Sequence, residues 1–232
     1  MAAILKDVRC KVADGIKIGG KPIEVIVGEG LSNKQSFYVH EAVLRQSSSF
    51  FNTALNKEWK EGQEHAVELP DYDACVFEQY VQWLYTARIA CMPANNEQSN
   101  YGFGRLTRLY VLGEKLMDPA LQTDIINALV LARRSDAIPI NRNVNTIYEG
   151  TPVGSPARKL MVDMHVLRQG KNQLKLIAPH PDFLLDLVTS LLHKRTLSDE
   201  VRLEFAELDT GVPASYYPKA IAKAKGVVSD GV

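Results

Sequence analysis

The chain has 232 residues, 46% of them hydrophobic and 23% charged, which suits one large folded domain or a domain with an extension. Lysine and arginine number 27, as do aspartate and glutamate, so no net charge draws the chain to nucleic acid or an anionic membrane. No apolar run approaches the roughly 18–20 residues of a membrane span, and Cys10, Cys75 and Cys91 lack C-x-x-C spacing and cannot all pair, which suits a reducing compartment.

Residues 1–20 alternate weakly and end in Gly19-Gly20, a flexible arm. Lys6 and Asp7 break its short apolar start, so it does not read as a signal peptide, and the expected location is cytoplasmic and/or nuclear. Ile23–Gly28 is rich in β-branched residues and is followed by the turn signal Gly28-Glu29-Gly30. Ser36–His40 reads as a second strand, antiparallel to the first. From Glu41 the period becomes helical, with Val43 and Leu44 on one face, and Gln46 to Ser49 ends that turn. The serines supply an N-cap for a helix that carries Phe50, Phe51, Ala54 and Leu55.

Lys57–Glu64 is polar around one tryptophan and is expected to be a surface connection. His65–Pro70 reads as a short strand, and Asp73 as the N-cap of a helix with Phe77, Tyr80, Val81 and Leu84 on one stripe, Val76 and Trp83 at its margin. Met92–Gly104 is expected to be a loop. Leu106, Leu109, Tyr110, Leu112 and Leu116 mark a helix that stops at Asp118-Pro119. A second helix starts at Pro119 and carries Leu121, Ile125, Ile126, Leu129 and Val130, antiparallel to the first. Residues 135–157 are broken by prolines and glycines, with one helical turn around Val144–Tyr148. Two amphipathic helices follow, one with Leu160, Met161, Met164 and Leu167, the other with Phe183, Leu184, Leu187, Val188, Leu191 and Leu192. The stretch from Ser198 opens with a capping pattern and then frays.

One constellation within Ile23–Ile89 goes beyond patterning. His40 is followed by Leu44, Ser48 and Phe51, then by Trp59-Lys60-Glu61, by Val67 and Leu69, by Phe77, and by Trp83 to Thr86. This order and spacing resembles the BTB/POZ domain, and the continuation, with its Ile-Tyr-Glu turn, resembles filamentous-fungal BTB proteins. The resemblance implies an α/β (α+β) fold: a small, mainly antiparallel sheet of three to four strands flanked by helices. Residues 1–20 then form an arm, 21–134 the BTB/POZ domain and 135–232 an all-helical C-terminal extension. His40, Leu44, Ser48, Phe51, Leu69, Phe77, Tyr85 and Thr86 become structural signature residues. Trp59, Lys60 and Glu61 fall where BTB adaptors touch a cullin scaffold. Glu24 stands where the family favours Asp. Ala87 stands in place of the glycine of Y-T-G, so the preceding helix is expected to run on slightly.

His40 as a general base would need a serine of 47–49 or Cys75 as nucleophile, but no G-x-S-x-G occurs and the serines sit where a helix cap belongs. The other histidines (His65, His165, His180, His193) are scattered, and Gly28-x-Gly30 and Gly102-x-Gly104 are lone pairs, so no metal, cofactor or phosphate site is expected. Arg133-Arg134 and His193-Lys194-Arg195 lie near helix C-termini, where cations suit the dipole, and make no nucleic-acid patch. Trp59 either folds back over the helix of Phe50–Leu55 or awaits a partner.

The expectation is a non-enzymatic protein–protein interaction module with protein partners, a cullin of a ubiquitin ligase among them, and no nucleic-acid, membrane or small-molecule ligand. The arm lacks a long helix, so a homodimer stays open. The alternatives are a self-associating or transcription-linked scaffold that never meets a cullin and, more remotely, a hydrolase using His40.

Overall fold

The computed structural model describes residues 15, 18–30, 34–56, 58–92, 101–133, 139–166 and 179–196. The arm before Gly15 and the stretch from Leu197 onward lie outside them. The elements in chain order are β1 (Pro22–Val27), β2 (Gln35–His40), α1 (Glu41–Ser47), α2 (Ser49–Ala54), α3 (Lys60–Glu64), β3 (Ala66–Leu69) and α4 (Ala74–Thr86). Then come α5 (Tyr101–Lys115), α6 (Pro119–Arg133), α7 (Asn141–Gly150), α8 (Pro156–Val166) and α9 (Pro181–Thr196).

The sheet order is β2-β1-β3, with β1 in the centre. β2 pairs antiparallel, setting Glu24 opposite Tyr38, and β3 pairs parallel, setting Val25 opposite Val67. The sheet is therefore small and mixed. Strand alternation sends Ile23, Val25 and Val27 inward, where all three are fully buried. On the outer face the Tyr38 hydroxyl donates to Glu24 Oε1 at 3.2 Å, a cross-strand pair that uses the longer acid.

The helices that follow are stopped and started by short polar side chains. Ser48 caps α2 by accepting from the Phe51 amide at 3.2 Å. Asp73 caps α4 by accepting from Cys75 at 2.8 Å. From α4, Phe77 and Tyr80 enter the core, Phe77 lying edge-on to Phe37 with ring centroids 5.1 Å apart. Trp83 is buried rather than marginal: it stacks on Tyr80 and donates Nε1–H to Asp124 Oδ2 at 2.8 Å. Leu106, Leu109 and Tyr110 of α5 continue the same core, which runs without a break from Ile23 to Leu187.

Five local expectations are corrected. Lys57–Glu64 is not simply a connection, because Lys60–Glu64 forms the short helix α3. The expected loop Met92–Gly104 gives way to helix at Tyr101, where Phe103, fully buried, anchors the first turn of α5. Residues 141–150 form a full helix instead of one turn. Val144, Ile147 and Tyr148 bury one stripe of it, and a Cβ at Gly150 would overlap Val111 of α5, so glycine lets the two helices approach. The last helix is not buried along its whole apolar stripe: Phe183 and Leu187 are covered, Leu184, Leu185, Val188, Leu191 and Leu192 are not. Finally, α4 does not run on past Thr86. Ala87 takes the left-handed conformation (φ 51°) and its amide donates to the Trp83 carbonyl at 2.8 Å, so an alanine does the work of a C-cap glycine.

That left-handed alanine costs about 1 kcal/mol against glycine. Ala87→Gly is expected to raise stability in urea denaturation by about 1 kcal/mol; an unchanged or lowered value would show that the turn carries no strain.

Candidate interaction surface

Several polar groups of the first half are engaged inside the fold. Asp118, in the turn between α5 and α6, is fully buried. Its Oδ1 accepts from the Leu121 amide at 3.0 Å, capping α6, and its Oδ2 accepts from the hydroxyls of Ser47 (2.5 Å) and Tyr80 (2.9 Å). Burial pushes the Asp118 carboxyl above its usual range, although the cap amide and both hydroxyls favour the charged form. The Tyr80 hydroxyl is raised far beyond the ordinary tyrosine value, by burial first and by the Asp118 charge second. Beside them Ser48 Oγ donates to the Leu116 carbonyl at 2.5 Å.

At the corner between β2 and α1, the amide of His40 donates to the Tyr85 hydroxyl at 3.1 Å, and His40 Nδ1 lies 2.7 Å from that same oxygen. Tyr85 is thus a half-buried strut from the end of α4 back to the corner. His40 and the serines are not brought together as a nucleophile and base: the ring engages Tyr85, Ser47 engages Asp118, and Ser48 engages Leu116. Leu44, Phe51, Leu69 and Phe77 are buried in the common core. Thr86 is exposed and accepts from the Arg88 amide at 3.2 Å, closing the turn after α4. Cys75 is an exposed free thiol and Cys91 a half-buried one, while Cys10 lies outside the described residues. Among the described residues no three His, Cys, Asp or Glu side chains converge as a metal site, and no helix is long and apolar enough to cross a membrane.

Residues 24–102 match the family model of the BTB/POZ domain. They belong to that family. The match begins within β1 and ends in the first turn of α5, so it takes in the sheet and α1–α4, which form the expected small sheet flanked by helices, with one antiparallel and one parallel pairing where a mainly antiparallel sheet was expected. BTB/POZ domains are a family of protein-interaction modules, generally without catalysis. The two sides of the Asp118 junction therefore differ in standing. Ser47 and Tyr80 lie inside the matched region, Asp118 and Leu121 beyond it.

On the surface of the BTB/POZ domain, Trp59 does not fold back over α2: its side chain is 56% exposed. The backbone beneath it is fixed. Trp59 is the N-cap residue of α3, its amide donates to the Asn56 carbonyl at 2.9 Å, and its carbonyl accepts from Gln63 at 3.2 Å. A Cβ at position 62 would overlap the Asn56 carbonyl, so Gly62 lets α3 sit tight against the end of α2. Glu61 lies in the first turn of α3, where a carboxylate suits the helix dipole, and is half-buried. Trp59 and Glu61 are thus carried on one short, well-anchored element. Sequence reasoning singled out Trp59, Lys60 and Glu61 and passed over Asp118, whose position before a proline reads as a mere helix stop.

The Asp118 junction sets a stability test. Asp118→Ala removes the α6 cap and strands the Tyr80 hydroxyl, and is expected to cost about 3 kcal/mol in urea denaturation. A carboxyl raised in the folded state contributes stability that is present below its unfolded pKa and lost as pH rises through the folded one. Asp118→Asn, which keeps an acceptor but cannot ionise, should therefore gain on the wild type as the pH climbs above the ordinary carboxylate range. Parallel pH profiles of the two proteins would contradict the burial effect.

Proposed function

We propose that this BTB/POZ protein serves as an adaptor whose α3 surface, with Trp59 and Glu61 and with Lys60 between them, engages a cullin-type scaffold of a ubiquitin ligase. The observation that carries the reading is the exposed indole of Trp59 on an anchored backbone, with an acid two residues on. An indole has few rotatable bonds to freeze on binding and supplies the large apolar contact typical of an interface hot spot. The neighbouring carboxylate sets register and selects a basic partner surface. On this reading the helices after residue 134 remain to contact the protein that the adaptor recruits.

The test is a binding measurement between the full chain and a cullin amino-terminal domain. The wild type is expected to bind, and Trp59→Ala/Glu61→Ala to lose about 2–4 kcal/mol of affinity with unchanged melting. Retained binding in the double variant would overturn the contact surface, and absence of binding in the wild type would overturn the adaptor role. His40→Ala serves as the structural control. It removes a ring contact to Tyr85 and is expected to cost about 1–2 kcal/mol of stability while leaving binding to the scaffold intact.

A further inference from the structure

Carbonyls at a helix end lack intrahelical partners, and the two that follow α2, of Leu55 and Asn56, are held by side chain and backbone from elsewhere. The Asn56 carbonyl accepts from the Trp59 amide at 2.9 Å. The Leu55 carbonyl accepts from Arg45 Nη1 at 2.8 Å, a bond from α1 across ten residues of sequence. The same nitrogen donates to Glu41 Oε1 at 3.0 Å, one turn back on α1. The guanidinium is thus steadied on its own helix while it grips the end of the next, and an ionised donor makes that grip stronger than a neutral one would.

The same two carbonyls are what α3 rests on. A Cβ on Gly62 would overlap the Asn56 carbonyl and stand 3.0 Å from the Leu55 oxygen, so the backbone of α3 lies directly against both. The Leu55 carbonyl therefore meets Arg45 of α1 and the backbone of α3 at once. Helix α3 has five residues and no side-chain cap at Trp59, too short to hold its own shape in water. Its far end is tied to the sheet, where the Glu24 amide donates to the His65 carbonyl at 3.0 Å. Its near end, which carries Trp59, takes its place from the end of α2.

We infer that Arg45 is a positioning residue of the Trp59 surface: it clamps the end of α2 on which α3 is seated, and so keeps the indole of Trp59 and the carboxylate of Glu61 in their binding arrangement. For its effect on binding this rests on the reading of that surface as the scaffold contact; its effect on α3 does not. A surface already held in its bound arrangement loses less freedom when a partner docks, and apparent affinity scales with the fraction of molecules so arranged. Lysine at position 45 keeps the charge but offers a compact, strongly hydrated ammonium in place of the planar guanidinium. Only part of the clamp returns with it.

The experiment follows amide hydrogen exchange in the free full chain and, alongside it, affinity for the cullin amino-terminal domain. In Arg45→Ala the amides of Trp59 and Gln63, whose bonds seat α3, are expected to exchange about tenfold faster, while those of Phe77 and Tyr80 in α4 keep their rates. Affinity is expected to fall about fivefold although Trp59 and Glu61 are untouched. Arg45→Lys should recover part of both. Unchanged exchange at Trp59 and Gln63 would overturn the inference, and so would an equal rise in α3 and α4, which would mean a general loosening. Faster exchange with undiminished affinity would overturn the link to binding. A wild type that binds no cullin domain would remove the adaptor reading instead, and the exchange rates would still decide whether Arg45 seats α3.

Discussion

The buried carboxyl of Asp118 draws polar groups of α1, α4 and α6 to one point. A helix start leaves amides without partners, and a buried hydroxyl that finds none costs more than it would in water. Here one carboxyl meets the amide at the start of α6, the hydroxyl at the end of α1 and the hydroxyl in the middle of α4. Around it the α1–α2 corner leans on the same turn. Ser48 donates to the Leu116 carbonyl while capping α2, and the amides of Ser49 and Phe50 donate to the carbonyls of Met117 and Leu116 at 3.3 and 3.4 Å. The helical hairpin of α5 and α6 is therefore packed into the same core as the matched residues, although it lies almost wholly beyond them.

Burying that carboxyl is expensive, as its raised pKa reflects. Its return is geometric. Three elements distant in sequence must meet at one point, and an apolar substitute of the same volume would tolerate several arrangements where the carboxyl accepts one. Met117, held at φ 50°, completes the turn in a conformation that side chains rarely adopt. Met117 and Ala87 are both left-handed, each just after a helix that feeds the junction.

Much of this architecture was legible in the residues, and what was missed has physical causes. Strand alternation at Ile23, Val25 and Val27, the caps Ser48 and Asp73, and the stripe of Phe77, Tyr80 and Leu84 are local patterns, and local patterns survive into the structure. Asp118 was hidden because its partners lie 38 and 71 residues away in sequence. Trp83 looked marginal because its indole N–H finds Asp124, a partner no periodicity reveals. The helix at Asn141–Gly150 was obscured by prolines and glycines on either side of it, while its inward face of Val144, Ile147 and Tyr148 was long enough to fold against α5. Ala87 was misread for the opposite reason. A propensity for continued helix was assumed, and tertiary packing imposed a left-handed turn instead.

The C-terminal helices repeat the principle of the Asp118 junction with the opposite charge. The guanidinium of Arg158, buried on α8, donates to the carbonyls of Tyr148 and Thr151 and to the Thr151 hydroxyl, and it lies over the Tyr148 ring at 4.7 Å. Tyr148 in turn donates its hydroxyl to Asp186 of α9 at 2.8 Å, while Asp182 stands 3.9 Å from Arg158. Both acids of α9 are thus held from below by α7 and α8, which fixes the rotation of the helix about its own axis. That rotation decides which side chains face outward. Given the engagement of Asp186 with Tyr148 and the burial of Phe183 and Leu187, Leu185, Val188 and Leu192 have no inward position left to take. The apolar stripe on α9 is consequently a product of how the helix is fastened, and not the loose end of an incomplete core.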